Sequence, residues 1–231
     1  MQSSIELLKT GEIYLESRMP FSSNATFRVI VQSGDQLVRA IYKPKDGERS
    51  LWDFPRGLHR REIAAYELAV VLGIPFIPPT VLRDGPLGEG SLQLYIKADP
   101  DQHYFSLFES HAHLHDRFRE IAFFDFVANN TDRKSGHVLI DENDQIWGID
   151  QGLCFSVDFK LRTVIWEFAG EQINQSLLDA AHAIRSNFPL PVATMLDSEE
   201  IGALITRCDW LLEHRVFPSD QTGRRYPWPL I

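Results

Sequence analysis

Strand and helix signals are segregated along this chain, and the segregation limits the folds it can adopt. Runs of β-branched and aromatic residues predict five strands before residue 99, over 11–16, 25–31, 36–43, 80–82 and 91–96. A helix is predicted among them, over Arg60–Leu72. Later apolar periods are helical, over 117–130, 175–185 and 198–214, with one strand pair at 138–140 and 145–149.

This order predicts an α+β fold with two lobes that together make one domain. Residues 1–98 form an N-terminal lobe in which a helix packs on an antiparallel sheet, and residues 99–231 form a mainly helical C-terminal lobe. Composition agrees, since 44% hydrophobic and 24% charged residues over 231 positions are typical of a folded globular protein.

Charge and hydropathy exclude further classes. A net charge of −9 without a basic stripe argues against a nucleic-acid partner. The sequence has neither an export signal nor an apolar run of about 18 residues, so we expect a cytoplasmic protein without stable membrane association. Two cysteines, Cys154 and Cys208, are too few for a disulfide framework and are predicted to be buried thiols.

Segment 99–115 contains four histidines whose spacing suggests a metal site: His103, His111, His113 and His115. The segment has no clear periodicity, and alternate histidines would converge on a metal only from an ordered strand with a further ligand. We therefore predict a solvated linker here.

Three polar residues bracket the short hairpin predicted in the second lobe. Asp132 and His137 lie on the loop before it, and Asp150 directly follows its second strand. Because antiparallel neighbours lie about 4.8 Å apart, the outer ends of the strands meet and these side chains should share one mouth. An unpaired buried carboxylate is costly, so Asp150 at the end of an apolar strand suggests a function.

These residues match the needs of phosphoryl transfer, which uses a carboxylate at the acceptor, metal ligands and a cation on the phosphates. Asp132 is the candidate base, and Lys134 could offset charge on the migrating phosphoryl group. His137 and Asp150 are candidate ligands for Mg²⁺ or Mn²⁺.

Two residues of the first lobe complete the set. Lys43 ends the third strand and could reach the phosphates of ATP, and Glu62 on the next helix could pair with it. This order of residues along the chain resembles the protein-kinase-like fold. Segments Asn130–Arg133, Gly148–Asp150 and Arg61–Tyr66 are similar to its phosphatidylinositol-kinase-like and HipA-like branch, in particular to a small bacterial family of uncertain substrate.

The resemblance implies how ATP binds. The polar loop between the first two strands stands where other kinases have a Gly-rich loop over the phosphates, with Ser22, Ser23, Asn24 and Thr26 as the residues concerned. It also places adenine against 93–96, with backbone hydrogen bonds near Leu94 and Tyr95. One departure is His137, which replaces the metal-binding Asn of the lipid kinases, and imidazole suits Mn²⁺ better than Mg²⁺.

The first functional hypothesis is an ATP-dependent kinase acting on a hydroxyl acceptor, which could be a protein Ser or Thr, a small metabolite or an inositol head group. The second is a pseudokinase or nucleotide-binding scaffold, favoured by His137 and by the missing loop glycines, and the third is an AMP transferase on the same fold. Lys160 and Arg162, downstream of Asp150, could meet an anionic substrate. The acceptor and the oligomeric state stay open.

Overall fold

The computed structural model describes residues 2–20, 22 and 24–231, and its first part is an antiparallel sheet. The strands lie in the order β1-β2-β3-β5-β4. Their bounds are β1 Glu12–Arg18, β2 Phe27–Ser33, β3 Gln36–Pro44, β4 Thr80–Gly85 and β5 Gly88–Leu94. Helix α1 spans Gln2–Thr10 and helix α2 spans Leu58–Val71.

Helix α1 was not predicted, and it covers one face of the sheet. Its Leu7 and Leu8 are buried against strand residues such as Val31, Tyr42 and Leu92. The helix has only nine residues, and helices this short are marginal alone, so their stability comes from packing that local sequence does not reveal.

The second part of the chain is mainly helical. Its helices are α3 Tyr104–Ser110, α4 His115–Ala128, α5 Gln175–Ser186, α6 Leu190–Ala193 and α7 Ser198–His214, and its short hairpin pairs β6 Val138–Ile140 with β7 Ile146–Gly148. The predicted α+β fold with two lobes is therefore confirmed. Both Cys154 and Cys208 are free and buried, as expected.

The solvated linker predicted over 99–115 is wrong, because α3 lies within it. Tyr104 and Leu107 of this helix are fully buried in the large core. The helix spans only seven residues, too few for a clear apolar period.

The four histidines of this segment do not converge. The Nδ1 of His103 lies 2.9 Å from the Ser135 hydroxyl, and the ring of His115 stacks on Phe108 with centroids 4.3 Å apart. Within 2–20, 22 and 24–231, no group of three or more His, Cys, Asp or Glu side chains is arranged to hold a metal ion.

Helix α2 joins the two lobes. Its Ala64, Ala65 and Leu68 belong to the same buried core as the helices of the second lobe. This packing fixes the preceding turn of α2, which bears Glu62, against the hairpin end of that lobe. None of the helices in the described part of the chain is both long and apolar enough to cross a bilayer.

Candidate active site

A cation from the sheet lies between two carboxylates from different elements. Lys43 is on β3, paired with Ser91 of β5, and its Nζ contacts Oε1 of Glu62 on α2. The same Nζ lies 2.9 Å from Oδ1 of Asp150, just after β7. The sequence-predicted pairing of Lys43 and Glu62 is thus present, with Asp150 added to it.

The charges in this triad hold one another ionised. Burial disfavours the Lys43 ammonium, but the negative charges of Asp150 and Glu62 outweigh it and raise the pKa of Lys43 above its ordinary value. The Lys43 ammonium in turn holds the pKa of the Asp150 carboxyl well below its usual range. Both groups therefore remain charged at neutral pH.

Glu62 also fixes the backbone that follows Asp150. Its carboxylate accepts the N–H of Gln151 at 3.0 Å and the N–H of Gly152 at 3.1 Å, in addition to Lys43. The side chain is almost fully buried, where charge-assisted hydrogen bonds of this kind are strong. One carboxylate thus ties the sheet, α2 and the segment after β7 together.

Asp150 has an unusual backbone conformation. Its φ is 61°, in the left-handed region that few residues other than glycine adopt but that Asp tolerates. Its side chain is 54% exposed, so the carboxylate is open to solvent as well as to Lys43. Such conformations persist only where surrounding contacts determine them, and the Glu62 hydrogen bonds are contacts of this kind.

Asp132 is placed near this triad on the loop before β6. Its Oδ2 lies 3.3 Å from Nζ of Lys134, and its side chain is 24% exposed. Burial raises the pKa of Asp132 to about 6; the Lys134 ammonium opposes this shift and the Asp150 charge adds to it. A carboxylate with a pKa near neutrality is suited to accept a proton.

His137 connects Asp132 to Asp150. Its Nδ1 is 2.9 Å from the backbone oxygen of Asp132, which can only accept, and 3.4 Å from the backbone nitrogen of Lys134. The shorter contact assigns the ring proton to Nδ1 and a lone pair to Nε2. That Nε2 lies 3.7 Å from Oδ2 of Asp150. Burial lowers the pKa of His137 to about 4, which leaves the ring neutral. Two lone-pair donors thus face each other without a proton between them, an arrangement that fits a divalent cation.

A buried ion pair that the sequence did not indicate holds the loop. Arg133 and Asp125 of α4 are both fully buried, with Nε and Nη2 of the guanidinium 3.1 Å and 2.9 Å from Oδ1. Arg133 also donates to the backbone oxygen of Ile149 at 3.2 Å and to Oε1 of Gln151 at 2.9 Å. The sequence signal that could have indicated this pair is Asp125, a charged residue inside the apolar run of α4.

The polar loop between β1 and β2 has its described side chains engaged within the protein. Ser22 Oγ lies 2.8 Å from Thr26 Oγ1, and Asn24 Oδ1 accepts the N–H of Arg49 at 2.8 Å. Ser23, which was also predicted to face the phosphates, lies outside the described residues. The role of this loop at ATP stays a prediction.

At the end of β5, the two N–H groups expected near adenine are already used. Leu94 donates to the backbone oxygen of Pro79 at 2.9 Å, and Tyr95 donates to that of Arg39 at 3.0 Å. Any adenine hydrogen bond made by these two residues therefore falls to their carbonyl oxygens.

The two basic residues downstream of Asp150 differ in their surroundings. The Nζ of Lys160 donates to the backbone oxygen of Asp53 at 3.0 Å, which links it to the first lobe. Arg162 is exposed, and its backbone N–H donates to Asn130. Of the two, Arg162 has the side chain more accessible to an anionic substrate.

The sequence has a relative among curated proteins. It is 36% identical over 260 residues to protein Rv2133c of Mycobacterium tuberculosis, and the alignment covers 96% of this chain and 94% of the relative. No family model matches the sequence.

Two solved structures share the arrangement of the chain. The structure of hydra Fam20 with sugar superposes with a TM-score of 0.58 at 16% identity, covering 91% of this chain and 86% of that one. The golgi casein kinase superposes with a TM-score of 0.53 at 18% identity, covering 92% and 75% of the two chains. At such low identity these likenesses show the fold alone, which is protein-kinase-like. Membership of the phosphatidylinositol-kinase-like and HipA-like branch stays a prediction.

Proposed function

We propose that this chain, which belongs to the same family as the Mycobacterium tuberculosis protein Rv2133c, is an ATP-dependent kinase with a hydroxyl acceptor. The observation that carries the proposal is the contact of Lys43 with both Glu62 and Asp150. It sets an ionised amine from the sheet and an ionised carboxylate from the hairpin at one cleft, beside Asp132. Phosphoryl transfer depends chiefly on such positioned charges.

In the proposed reaction, Lys43 binds the phosphates of ATP, and Asp132 orients the acceptor hydroxyl and takes its proton. The acceptor oxygen forms a bond to the γ-phosphorus while the bond from that phosphorus to the β–γ bridging oxygen breaks. ADP leaves with that electron pair. Lys134, 3.3 Å from Asp132, offsets negative charge on the phosphoryl group.

His137 and Asp150 are the residues that would hold Mg²⁺ or Mn²⁺. The ion, when bound, supplies positive charge to the nucleotide phosphates. The neutral imidazole and the carboxylate Oδ2 are donors that suit it, and the nitrogen ligand favours Mn²⁺.

The acceptor is proposed as a class only. A protein Ser or Thr, a small polar metabolite and an inositol head group each present the required hydroxyl. The exposed guanidinium of Arg162, downstream of Asp150, favours an acceptor that carries negative charge.

The test is ADP formation from ATP with Mn²⁺ or Mg²⁺, compared among the wild type, Asp132→Asn and Asp150→Asn, with Asp158→Asn as the matched control. Asp158 is on the segment after Asp150 and its side chain is 82% exposed. Asp132→Asn removes the positioned proton acceptor and should lower turnover about 10²–10⁴-fold. Asp150→Asn removes a proposed metal ligand and should also lower turnover, while the control keeps wild-type turnover.

Equal turnover in the wild type and both cleft variants would contradict the kinase. ATP binding without any turnover would identify the pseudokinase instead. Mass spectrometry of the incubated protein distinguishes a phosphoryl adduct from an AMP adduct, and the latter would replace phosphoryl transfer by AMP transfer.

A further inference from the structure

A pocket in the second lobe is separate from the proposed active site. Its volume is about 750 Å³, within the range of about 300–1,000 Å³ usual for small-molecule sites. Helices α4 and α7, the segment after Asp150 and the segment 216–225 form its walls. Lys43, Glu62, Asp132 and Asp150 do not line this pocket among the residues that the structure describes.

Aromatic rings dominate the walls of the pocket. Phe126 and Trp210 pack with centroids 5.1 Å apart, and Phe126 and Phe159 with centroids 5.6 Å apart. Trp166 and Phe217 complete the set of rings. Flat apolar molecules pack well against such surfaces, because ring faces and edges interact favourably at these separations.

One charged side chain in the pocket has an incomplete set of partners. Arg207 of α7 is 6% exposed, and its Nε donates to the backbone oxygen of Val127 at 2.8 Å. Its Nη2 is buried without a hydrogen-bond partner among the described residues. Over the same residues, no carboxylate lies within ion-pair distance of this guanidinium. A buried donor left unpaired costs about 1–3 kcal/mol or more when charged.

The charge around the pocket is one-sided. The lining contains two arginines, Arg207 and Arg225, and no acidic residue among the described positions. The Arg225 guanidinium lies 4.5 Å from the centroid of the Phe159 ring, and its Nε is 3.7 Å from Asp220. Asp220 therefore offsets the charge of Arg225, and Arg207 is the lining charge that has no carboxylate partner among the described residues.

We infer that this pocket binds a small organic anion, a carboxylate or phosphate on a flat apolar body, with Arg207 as the receptor for its charge. Nη2 itself is closed to solvent, so the anion pairs with the part of Arg207 that lines the pocket, and the apolar body covers the aromatic walls. Burial without a carboxylate partner lowers the pKa of Arg207 to about 10, so an anion would find this residue charged at neutral pH.

The test is calorimetric titration of the full chain with three probes of one shape: naphthoate, naphthyl phosphate and the neutral naphthylmethanol. At least one anion should bind about tenfold or more tightly than the neutral probe, since a hydrogen bond to a charged group contributes at least that much. Comparison of the two anions distinguishes a carboxylate site from a phosphate site. Quenching of tryptophan fluorescence provides a second readout, because Trp166 and Trp210 line the pocket.

Three variants locate the binding. Arg207→Met should remove the preference for the anion while keeping affinity for the neutral probe. Thr206→Trp, which places a ring at an exposed lining position, should weaken all probes about tenfold or more and leaves Arg207 in place. Arg215→Gln removes an exposed arginine just after α7 that does not line the pocket, and it should bind as the wild type does.

Equal affinity of the wild type for the anions and the neutral probe would overturn the inference, as would unchanged binding in Thr206→Trp. If Arg207→Met fails to fold, the comparison of probes on the wild type and on Thr206→Trp still decides the matter. These results are independent of ATP turnover, so the inference and the proposed kinase stand or fall separately.

Discussion

The cleft around Lys43 and the pocket around Arg207 treat a buried cation in opposite ways. Lys43 contacts two carboxylates, Glu62 and Asp150, and the guanidinium of Arg133 nearby is fully engaged with Asp125 and Gln151. Arg207 is more buried than Lys43 but has one backbone acceptor and an unpartnered Nη2. The cations around Lys43 are thus paired with carboxylates, whereas Arg207 has no carboxylate partner among the described residues.

This difference indicates different tasks. Charges that are paired before substrate arrives need little reorganisation during a reaction, which favours catalysis by positioning. A charge left unpaired in an apolar pocket gains most when a ligand supplies the missing partner. Four changes, taken from the largest expected effect to the smallest, test the contrast.

Replacing Arg133 by Met should have the largest effect on stability. The substitution leaves the Asp125 carboxylate buried without its cation, and breaking a buried pair from one side costs about 3–5 kcal/mol. Urea denaturation followed by circular dichroism measures the change in the free energy of unfolding. Arg117→Met on α4, whose side chain is 51% exposed, is the control and should change this free energy by less than about 1 kcal/mol.

Replacing Glu62 by Gln should lower ATP turnover by about tenfold or more. The neutral amide weakens charge-assisted hydrogen bonds to Lys43 and to the backbone after Asp150, and each such bond contributes about 1.5–3 kcal/mol. Glu67→Gln, on the same helix but outside this contact, is the control. Similar turnover in the two variants would show that the Glu62 carboxylate is not needed for catalysis.

The pH profile of turnover should rise through the pKa of Asp132, about 6. The base must be deprotonated, so the rate falls about tenfold for each pH unit below that value and is level above it. Since the Lys134 ammonium lowers the pKa of Asp132, Lys134→Met should move the inflection to higher pH. An inflection that stays in place in this variant would exclude Asp132 as the titrating group.

Replacing Arg207 by Met in the ligand-free protein should have the smallest effect on stability. The substitution removes a buried charge without leaving a carboxylate unpaired, but it takes the hydrogen bond from the Val127 carbonyl, so the free energy of unfolding should fall by about 1–3 kcal/mol, less than for Arg133→Met. Urea denaturation under the conditions used for Arg133→Met allows direct comparison. A loss of unfolding free energy as large as that of Arg133→Met would show that Arg207 is a structural residue, as Arg133 is, and would contradict the difference proposed between the two sites.

Much of the architecture followed from local patterns. The period over 198–214 predicted α7 with the observed bounds, and the strand pair at β6 and β7 was placed correctly. The short helices α1 and α3 were not predicted, since they have too few residues for an apolar period and are stabilised by distant contacts. The Arg133–Asp125 ion pair was not predicted either, because its partners lie on different elements.

What the sequence by itself determined is the order of the strands and of the longer helices, together with the residues that have chemical capacity: Lys43, Glu62, Asp132, His137 and Asp150. Hydrophobic periodicity and turn residues are local properties, so a single chain reveals them. Tertiary structure alone decided how these groups meet: that Glu62 also binds the backbone after Asp150, and that His137 turns a lone pair toward that carboxylate. It alone also buried Arg207 without a carboxylate partner among the described residues, because burial and pairing depend on residues far apart in the chain.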